Sequence, residues 1–200
     1  MRNYIYLFAS FFIAVLLTAC SLSPKDLGKS NMVALNPVNV VLNKNAEVAL
    51  VVAMPHATAE LDTYRIAINK EDGNWDYYAG ARWLDFLPLL VQDSIIKSLE
   101  NSKLVKVVLS DQSSVLGGKV LKLEIREFNT LYKKGNKNPS VKIRIAVNVE
   151  NRDDRSYFTS FEVKAEKQAK ENRISSIQEA FRLAFKSVQK DLIYKLSKKM

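Results

Sequence analysis

The sequence has one cysteine, Cys20, and one histidine, His56, in 200 residues. A single cysteine excludes an intramolecular disulfide, so the fold must depend on its apolar core even in an oxidising compartment. The histidine has no cysteine or second histidine with which to share a metal ion. It is also the only side chain that is a good base near neutral pH, so a hydrolase would have to use His56 or carboxylates that form no recognisable pair.

Motifs for nucleotide binding and for a serine nucleophile are also missing. Residues 113–119 place two glycines before Lys119, but their spacing differs from that of a phosphate loop, and they precede a strand instead of a helix. No serine stands in a nucleophile-elbow pattern. The acidic residues alternate with Lys and Arg, which is typical of solvated faces. The sequence therefore predicts no catalytic residue, no metal and no cofactor.

The first nineteen residues have the pattern of an export signal. Arg2 supplies the charged start, and an apolar stretch runs from Ile5 to Leu17. This stretch is shorter than the about 20 residues that a transmembrane helix needs. The next residues, Leu17 to Cys20, resemble the lipobox of bacterial lipoproteins. That resemblance implies cleavage before Cys20 and attachment of diacylglycerol and an N-acyl chain to this cysteine.

Charge and flanking residues indicate where such a chain would act. Loss of residues 1–19 removes only Arg2 from the charge count, which lowers the formal net charge from +9 to +8. This excess attracts anionic head groups or an acidic partner, and export argues against nucleic acid. Ser21 after the cysteine, where inner-membrane lipoproteins tend to have aspartate, points to the periplasmic face of the outer membrane. The loop Lys133–Asn138 either contacts anionic lipid or is simply solvated.

The organisation expected for the exported chain is a tether followed by one domain. Residues 20–45 are small, polar and interrupted by proline and glycine, which predicts a lipidated tether; within it, Val38 to Leu42 could add a strand. Residues 46–200 have the length of a single α+β domain.

Hydrophobic periodicity predicts a two-layer α+β sandwich, with a mixed, largely antiparallel sheet of about six strands and two amphipathic helices. The first helix is expected over Arg82 to Asn101, with Asp85 as a candidate N-cap and Pro88 in its first turn. The strand that follows it is expected to run parallel to the strand before it. The second helix is expected over Ser176 to Lys198, opened by a capping box of Ser176 and Glu179. Strands are predicted over residues 48–54, 64–68, 75–79, 104–109, 119–128, 141–150 and 157–166.

Aromatic residues are concentrated between Trp75 and Trp83, where a strand leads into the first helix. Alternation along a strand buries some of these rings and exposes others. Exposed rings beside an arginine are typical of protein contact surfaces. The candidate partner-binding residues are Tyr77, Tyr78, Arg82 and Trp83.

The same segment carries a resemblance to a known family. Arg65-Ile66, the run from Tyr77 to Trp83, Leu87-Pro88, and a helix that ends Leu99 to Ser102 resemble the ABC-type transport auxiliary lipoproteins. The lipobox and the strand Leu121 to Phe128 fit as well, and the resemblance extends over residues 61–198. It implies a non-enzymatic lipoprotein that accompanies an ABC permease and a lipid-shuttling substrate-binding protein of the MCE type.

Two functions are compatible with these features. The first is an accessory that docks a lipid-transport partner at the outer membrane. The second is a structural or regulatory envelope lipoprotein, such as an activator of a peptidoglycan synthase or an outer-membrane assembly factor, since fold alone does not decide function. A longer tether would favour the second function, because it would let the domain reach the cell wall. The predicted tether of about 25 residues spans at most ~90 Å. A homo-oligomer is compatible with either function.

Overall fold

The computed structural model describes residues 31–43, 45–111 and 117–200. The predicted signal segment 1–19 and the predicted lipidation site Cys20 lie outside the described residues. The described chain contains nine strands and two helices. In chain order they are β1 (Asn31–Val33), β2 (Ala46–Val52), β3 (His56–Ala57), β4 (Arg65–Lys70), β5 (Trp75–Trp83), α1 (Leu87–Ser102), β6 (Val105–Ser110), β7 (Lys119–Tyr132), β8 (Ser140–Asn151), β9 (Tyr157–Gln168) and α2 (Ile174–Lys199).

Strand β7 organises the sheet. Along one side it pairs in parallel with β2, β3 and β4, and along the other it pairs antiparallel with β8. Strand β6 then pairs with β2, β5 with β4, β1 with β5, and β9 with β8. The longest registers are the antiparallel ones that join β7, β8 and β9. The mixed sheet and the α+β class are confirmed. The expected count of about six strands is too low, since β1 and β3 are only 3 and 2 residues long and leave no clear alternation.

Alternating apolar residues of the sheet and the apolar stripes of both helices form the core. The alternating apolar residues of β8 are all buried, namely Val141, Ile143, Ile145, Val147 and Val149. From α2, Phe181, Phe185 and Val188 pack onto this face of the sheet. No helix in the described part of the chain is long and apolar enough to cross a membrane.

Residues 31–43 are part of the domain, so the tether predicted over residues 20–45 extends too far. Strand β1 pairs in parallel with β5, and Val33, Leu35 and Val38 are buried. The backbone N–H of Leu42 donates to the Ser102 carbonyl oxygen at 2.9 Å. Residues 38–42 form no strand. This segment packs beside α1. Because that packing surface forms only in the folded domain, the local sequence shows no periodicity that would predict it.

The first helix begins later than predicted because β5 is longer. Strand pairing continues to Trp83, whose N–H donates to the Tyr64 carbonyl oxygen at 2.7 Å. Helix α1 therefore starts at Leu87, and its N-cap is Phe86 in place of the expected Asp85. Pro88 lies in the first turn, as predicted.

Two further expectations for the helices are wrong. Helix α2 starts after Arg173 without a side-chain cap, and Glu179 forms an ion pair with Arg182 instead of a capping box with Ser176. The strand after α1 does not lie beside the strand before it: β6 pairs with β2, and the chain of pairings makes β6 antiparallel to β5.

Candidate functional site

The aromatic segment of β5 has an irregular register that decides which rings are exposed. Pairing with β4 joins Arg82 to Arg65 and then Tyr77 to Ala67, so several residues of β5 stand opposite one residue of β4. Such an irregularity breaks the simple alternation of faces. Faces predicted from alternation across the whole segment therefore do not hold.

Trp83 is a core residue and was wrongly predicted as a contact residue. Its side chain is fully buried. The indole ring meets the Phe128 ring edge-on at a centroid distance of 5.5 Å and the Phe181 ring edge-on at 5.0 Å. Edge-to-face pairs of this kind add to the free energy of burial. Trp83 therefore joins β5, β7 and α2, and it offers no surface to a partner.

Tyr78 is held by hydrogen bonds within the domain. Its hydroxyl lies 3.1 Å from the Thr130 hydroxyl and 3.0 Å from the Tyr132 hydroxyl, and Tyr132 in turn donates to Asn172 Oδ1 at 2.8 Å. Burial raises the pKa of Tyr78, because the phenolate would lose hydration in this setting. The contacts give Tyr78 a structural role at the junction of β7 with the start of α2.

Tyr77 and Arg65 form a stacked pair on the sheet. The Arg65 guanidinium lies 3.8 Å from the centroid of the Tyr77 ring, and the Tyr77 hydroxyl donates to the Glu60 carbonyl oxygen at 3.3 Å. Tyr77 is half-buried, while Arg65 is exposed. The nearby carboxylate of Asp76 accepts a hydrogen bond from the Tyr77 N–H and pairs with Lys70, and these contacts lower the pKa of Asp76.

Arg82 is the predicted contact residue that the structure leaves most accessible. It stands opposite Arg65 in the β4–β5 ladder and beside Met32 of β1. Two like charges opposite each other repel, and no salt bridge to Arg82 occurs among the described residues. Arg65, Tyr77 and Arg82 together form a cationic and aromatic surface, which we term the arginine face. It suits an acidic or aromatic surface of another protein.

Apolar side chains near the arginine face escaped the sequence prediction. Leu84 falls within the range predicted for the first helix, Arg82 to Asn101, yet it is 53% exposed in the connection between β5 and α1. Phe86 follows it and contacts Tyr64 at a ring-centroid distance of 4.0 Å. Strand alternation carried past Trp83 would have placed Leu84 on the outer face with Arg82.

The other candidate residues do not converge on a site. His56 is exposed in the two-residue strand β3. In the basic loop, Lys133 pairs with Glu166 at 3.5 Å and the Lys134 N–H donates to Glu71 Oε2 at 2.8 Å. An open cavity of about 730 Å³ beside this loop is lined by Ile68, Lys70, Glu71, Asp72, Tyr132 and Lys134. Within the described ranges, no three potential metal ligands cluster.

Comparison with known proteins identifies relatives by fold. No family model and no curated protein match this chain. A protein from Xanthomonas campestris assigned to the family DUF330 has a TM-score of 0.74 at 20% identity, over 84% of this chain and 96% of that chain. An uncharacterised protein has a TM-score of 0.64 at 10% identity, over 84% and 99%. A hypothetical protein from Chlamydia trachomatis has a TM-score of 0.51 at 13% identity, over 77% and 98%. This chain therefore has the α+β fold of these proteins.

Proposed function

We propose that this chain is an envelope lipoprotein, acylated at Cys20 and held at the periplasmic face of the outer membrane. It serves as a non-enzymatic accessory of an ABC-type transport system that moves lipid, and it docks the periplasmic substrate-binding component at that membrane. The lipobox-like sequence before Cys20 and the family-like segment from Tyr77 to Trp83 support this proposal.

The length of chain between the anchor and the domain favours one of the two candidate functions. The domain begins at Asn31, eleven residues after Cys20. Eleven residues span at most about 40 Å, less than half the reach of the tether expected from sequence. A short tether keeps the domain near the membrane, which suits a partner that ends there better than a target in the cell wall.

The arginine face is the docking surface in this proposal. Anchoring raises the effective concentration of a partner site at the membrane, so a modest contact is sufficient. Arg65 is already ordered by the Tyr77 ring, which lowers the entropy lost when a partner binds. Tyr78 and Trp83 support this surface from within the fold.

Acylation is tested by metabolic labelling of the full-length chain with a fatty-acid analogue that carries an alkyne. We expect label in the membrane fraction for the natural chain and none for Cys20→Ser. Equal labelling of both chains, or a natural chain without label, would contradict the anchor.

Docking is tested by photocrosslinking in cells. A photoreactive residue replaces Arg82, and the matched control carries it at Tyr157, which is 71% exposed on β9 at the other edge of the sheet. We expect crosslinks from position 82 to a permease or substrate-binding component, identified by mass spectrometry, and none from position 157. If position 82 captured no transport component and deletion left detergent sensitivity unchanged, the proposal would be wrong.

A further inference from the structure

Four of the large apolar side chains exposed on the domain belong to segments that meet at β1, where the described chain begins. They are Met32, Tyr64, Leu84 and Phe86, with exposed fractions of 57%, 38%, 53% and 40%. We term this group the entry patch. Large apolar side chains that are exposed near one another mark a place that contacts another apolar surface.

Backbone contacts hold the entry patch as one unit. The Leu84 N–H donates to the Val33 carbonyl oxygen at 2.8 Å, which places Leu84 next to the end of β1. Tyr64 is joined to the same strand end, because its carbonyl oxygen accepts the Trp83 N–H, and its ring contacts Phe86. The patch is thus built on a paired strand end and on a helix start.

The connection between Leu84 and Phe86 is also fixed. Asp85 lies between them, and its carboxylate accepts a hydrogen bond from the Phe86 N–H at 2.8 Å. Phe86 is the N-cap of α1, and its carbonyl oxygen accepts the Leu90 N–H at 3.0 Å. The exposure of Leu84 and Phe86 is therefore set by the fold.

We propose that the entry patch lies against the membrane that holds the lipid on Cys20, with its side chains in the interfacial layer of that membrane. This inference rests on the acylation in the proposed function. The chain enters the domain at Asn31, the first residue of β1, so the anchor keeps this end of the domain within reach of the lipid surface. Aliphatic side chains together with an aromatic ring that bears a hydroxyl are the types that partition into the interface.

The charge around the patch favours a lipid surface as the occupant. Arg82 stands directly beside Met32 across the β1–β5 pairing and is exposed. A cation at the rim of an apolar patch can reach lipid phosphates while the apolar groups enter the interface. The orientation also brings the arginine face to the edge of the membrane, where a partner that ends at that membrane would meet it.

The orientation is tested with the full-length acylated protein in phospholipid vesicles. Because Cys20 is blocked by lipid, an engineered cysteine is the only free thiol, and it can be labelled with an environment-sensitive fluorophore. Leu84→Cys and Phe86→Cys report on the patch, and Tyr157→Cys on the opposite edge is the matched control. We expect blue-shifted emission at positions 84 and 86, with quenching by brominated phospholipids, and neither effect at position 157. Thermal unfolding of each labelled chain verifies that it is folded.

Each outcome of this experiment decides the matter. A label at positions 84 and 86 that stays in water on an acylated chain would overturn the orientation and leave the anchor intact. A blue shift that arises only after a transport component is added would assign the patch to protein docking and would equally overturn it. A natural chain without acyl label in the metabolic-labelling test would overturn the anchor, and the orientation with it.

Discussion

The Ser98 hydroxyl oxygen accepts a hydrogen bond from the Val38 backbone N–H at 3.0 Å. The same oxygen accepts a hydrogen bond from the Gln189 side-chain N–H at 3.0 Å, and the Ser98 O–H donates to the Ser94 carbonyl oxygen at 2.6 Å. One buried hydroxyl therefore joins the segment before β2, helix α1 and helix α2. This contact explains how residues with no strand pattern become part of the domain.

Ser98→Ala should destabilise the domain by about 1–3 kcal/mol, because it leaves the buried Val38 N–H without its acceptor. Urea unfolding monitored by circular dichroism measures the loss, and hydrogen exchange should show faster exchange of the Val38 amide. The matched control is Ser187→Ala, which removes a hydroxyl that bonds Leu183 in the same way on the exposed side of α2. A change of more than about 0.5 kcal/mol in the control would mean that the helix bond, and not the docking of Val38, is being measured.

Trp83→Ala should cost about 3–5 kcal/mol, because it opens a cavity beside the buried rings of Phe128 and Phe181. Trp75→Ala, in which the side chain is 39% exposed at the other end of the same strand, should cost about 1 kcal/mol or less. Thermal unfolding of both variants makes the comparison. A stable Trp83→Ala protein that had lost only its partner would restore Trp83 as a contact residue.

Gly118→Ala should destabilise the fold by about 1–3 kcal/mol, since Gly118 has a positive φ that other residues adopt at a cost. Its φ is +90°, and an added Cβ would lie 2.5 Å from the Ala49 carbonyl oxygen. Gly80→Ala on β5 is the control, because nothing lies within 4 Å of a Cβ at that position. Chemical denaturation should give a clearly lower free energy of unfolding for Gly118→Ala than for Gly80→Ala. Equal values would contradict the close approach of β2 to Gly118.

The Tyr78 phenol should make the stability of the fold sensitive to alkali. The pKa of Tyr78 is raised in the folded state. The stability that the protonated phenol contributes is therefore complete at pH values below the ordinary pKa of 10.0, and it falls as the pH rises above that value. Tyr78→Phe removes this contribution, so the free energy of unfolding should decrease less steeply above pH 10.0 than in the natural chain. Tyr194→Phe, at an exposed tyrosine of α2, should keep the natural slope. Identical slopes for all three proteins would show that burial does not protect the Tyr78 proton.

The sequence marks the segment in which the candidate site lies, but it does not show which residues of that segment are exposed. The aromatic composition of residues 75–83 marks the segment, and Tyr77 and Arg82 do reach the surface. Strand β5 continues past its predicted end at residue 79 to Trp83, which pairs with Val33. This pairing places the Trp83 side chain in the core. Leu84 lies just beyond the end of this strand, before α1 begins, although the predicted helix range includes it.

The sequence by itself determined the parts of this protein that depend on local periodicity. Alternation located β8 and all its inward residues, and spacing of three to four located both helices to within a few residues of their ends. Only the tertiary structure decided which strands are neighbours. Strand β6 pairs with β2, which lies about sixty residues earlier in the chain, and no local sequence pattern predicts that pairing. It also decided that residues 31–43 belong to the domain, since Val33, Leu35 and Val38 become buried only by packing against the rest of the fold.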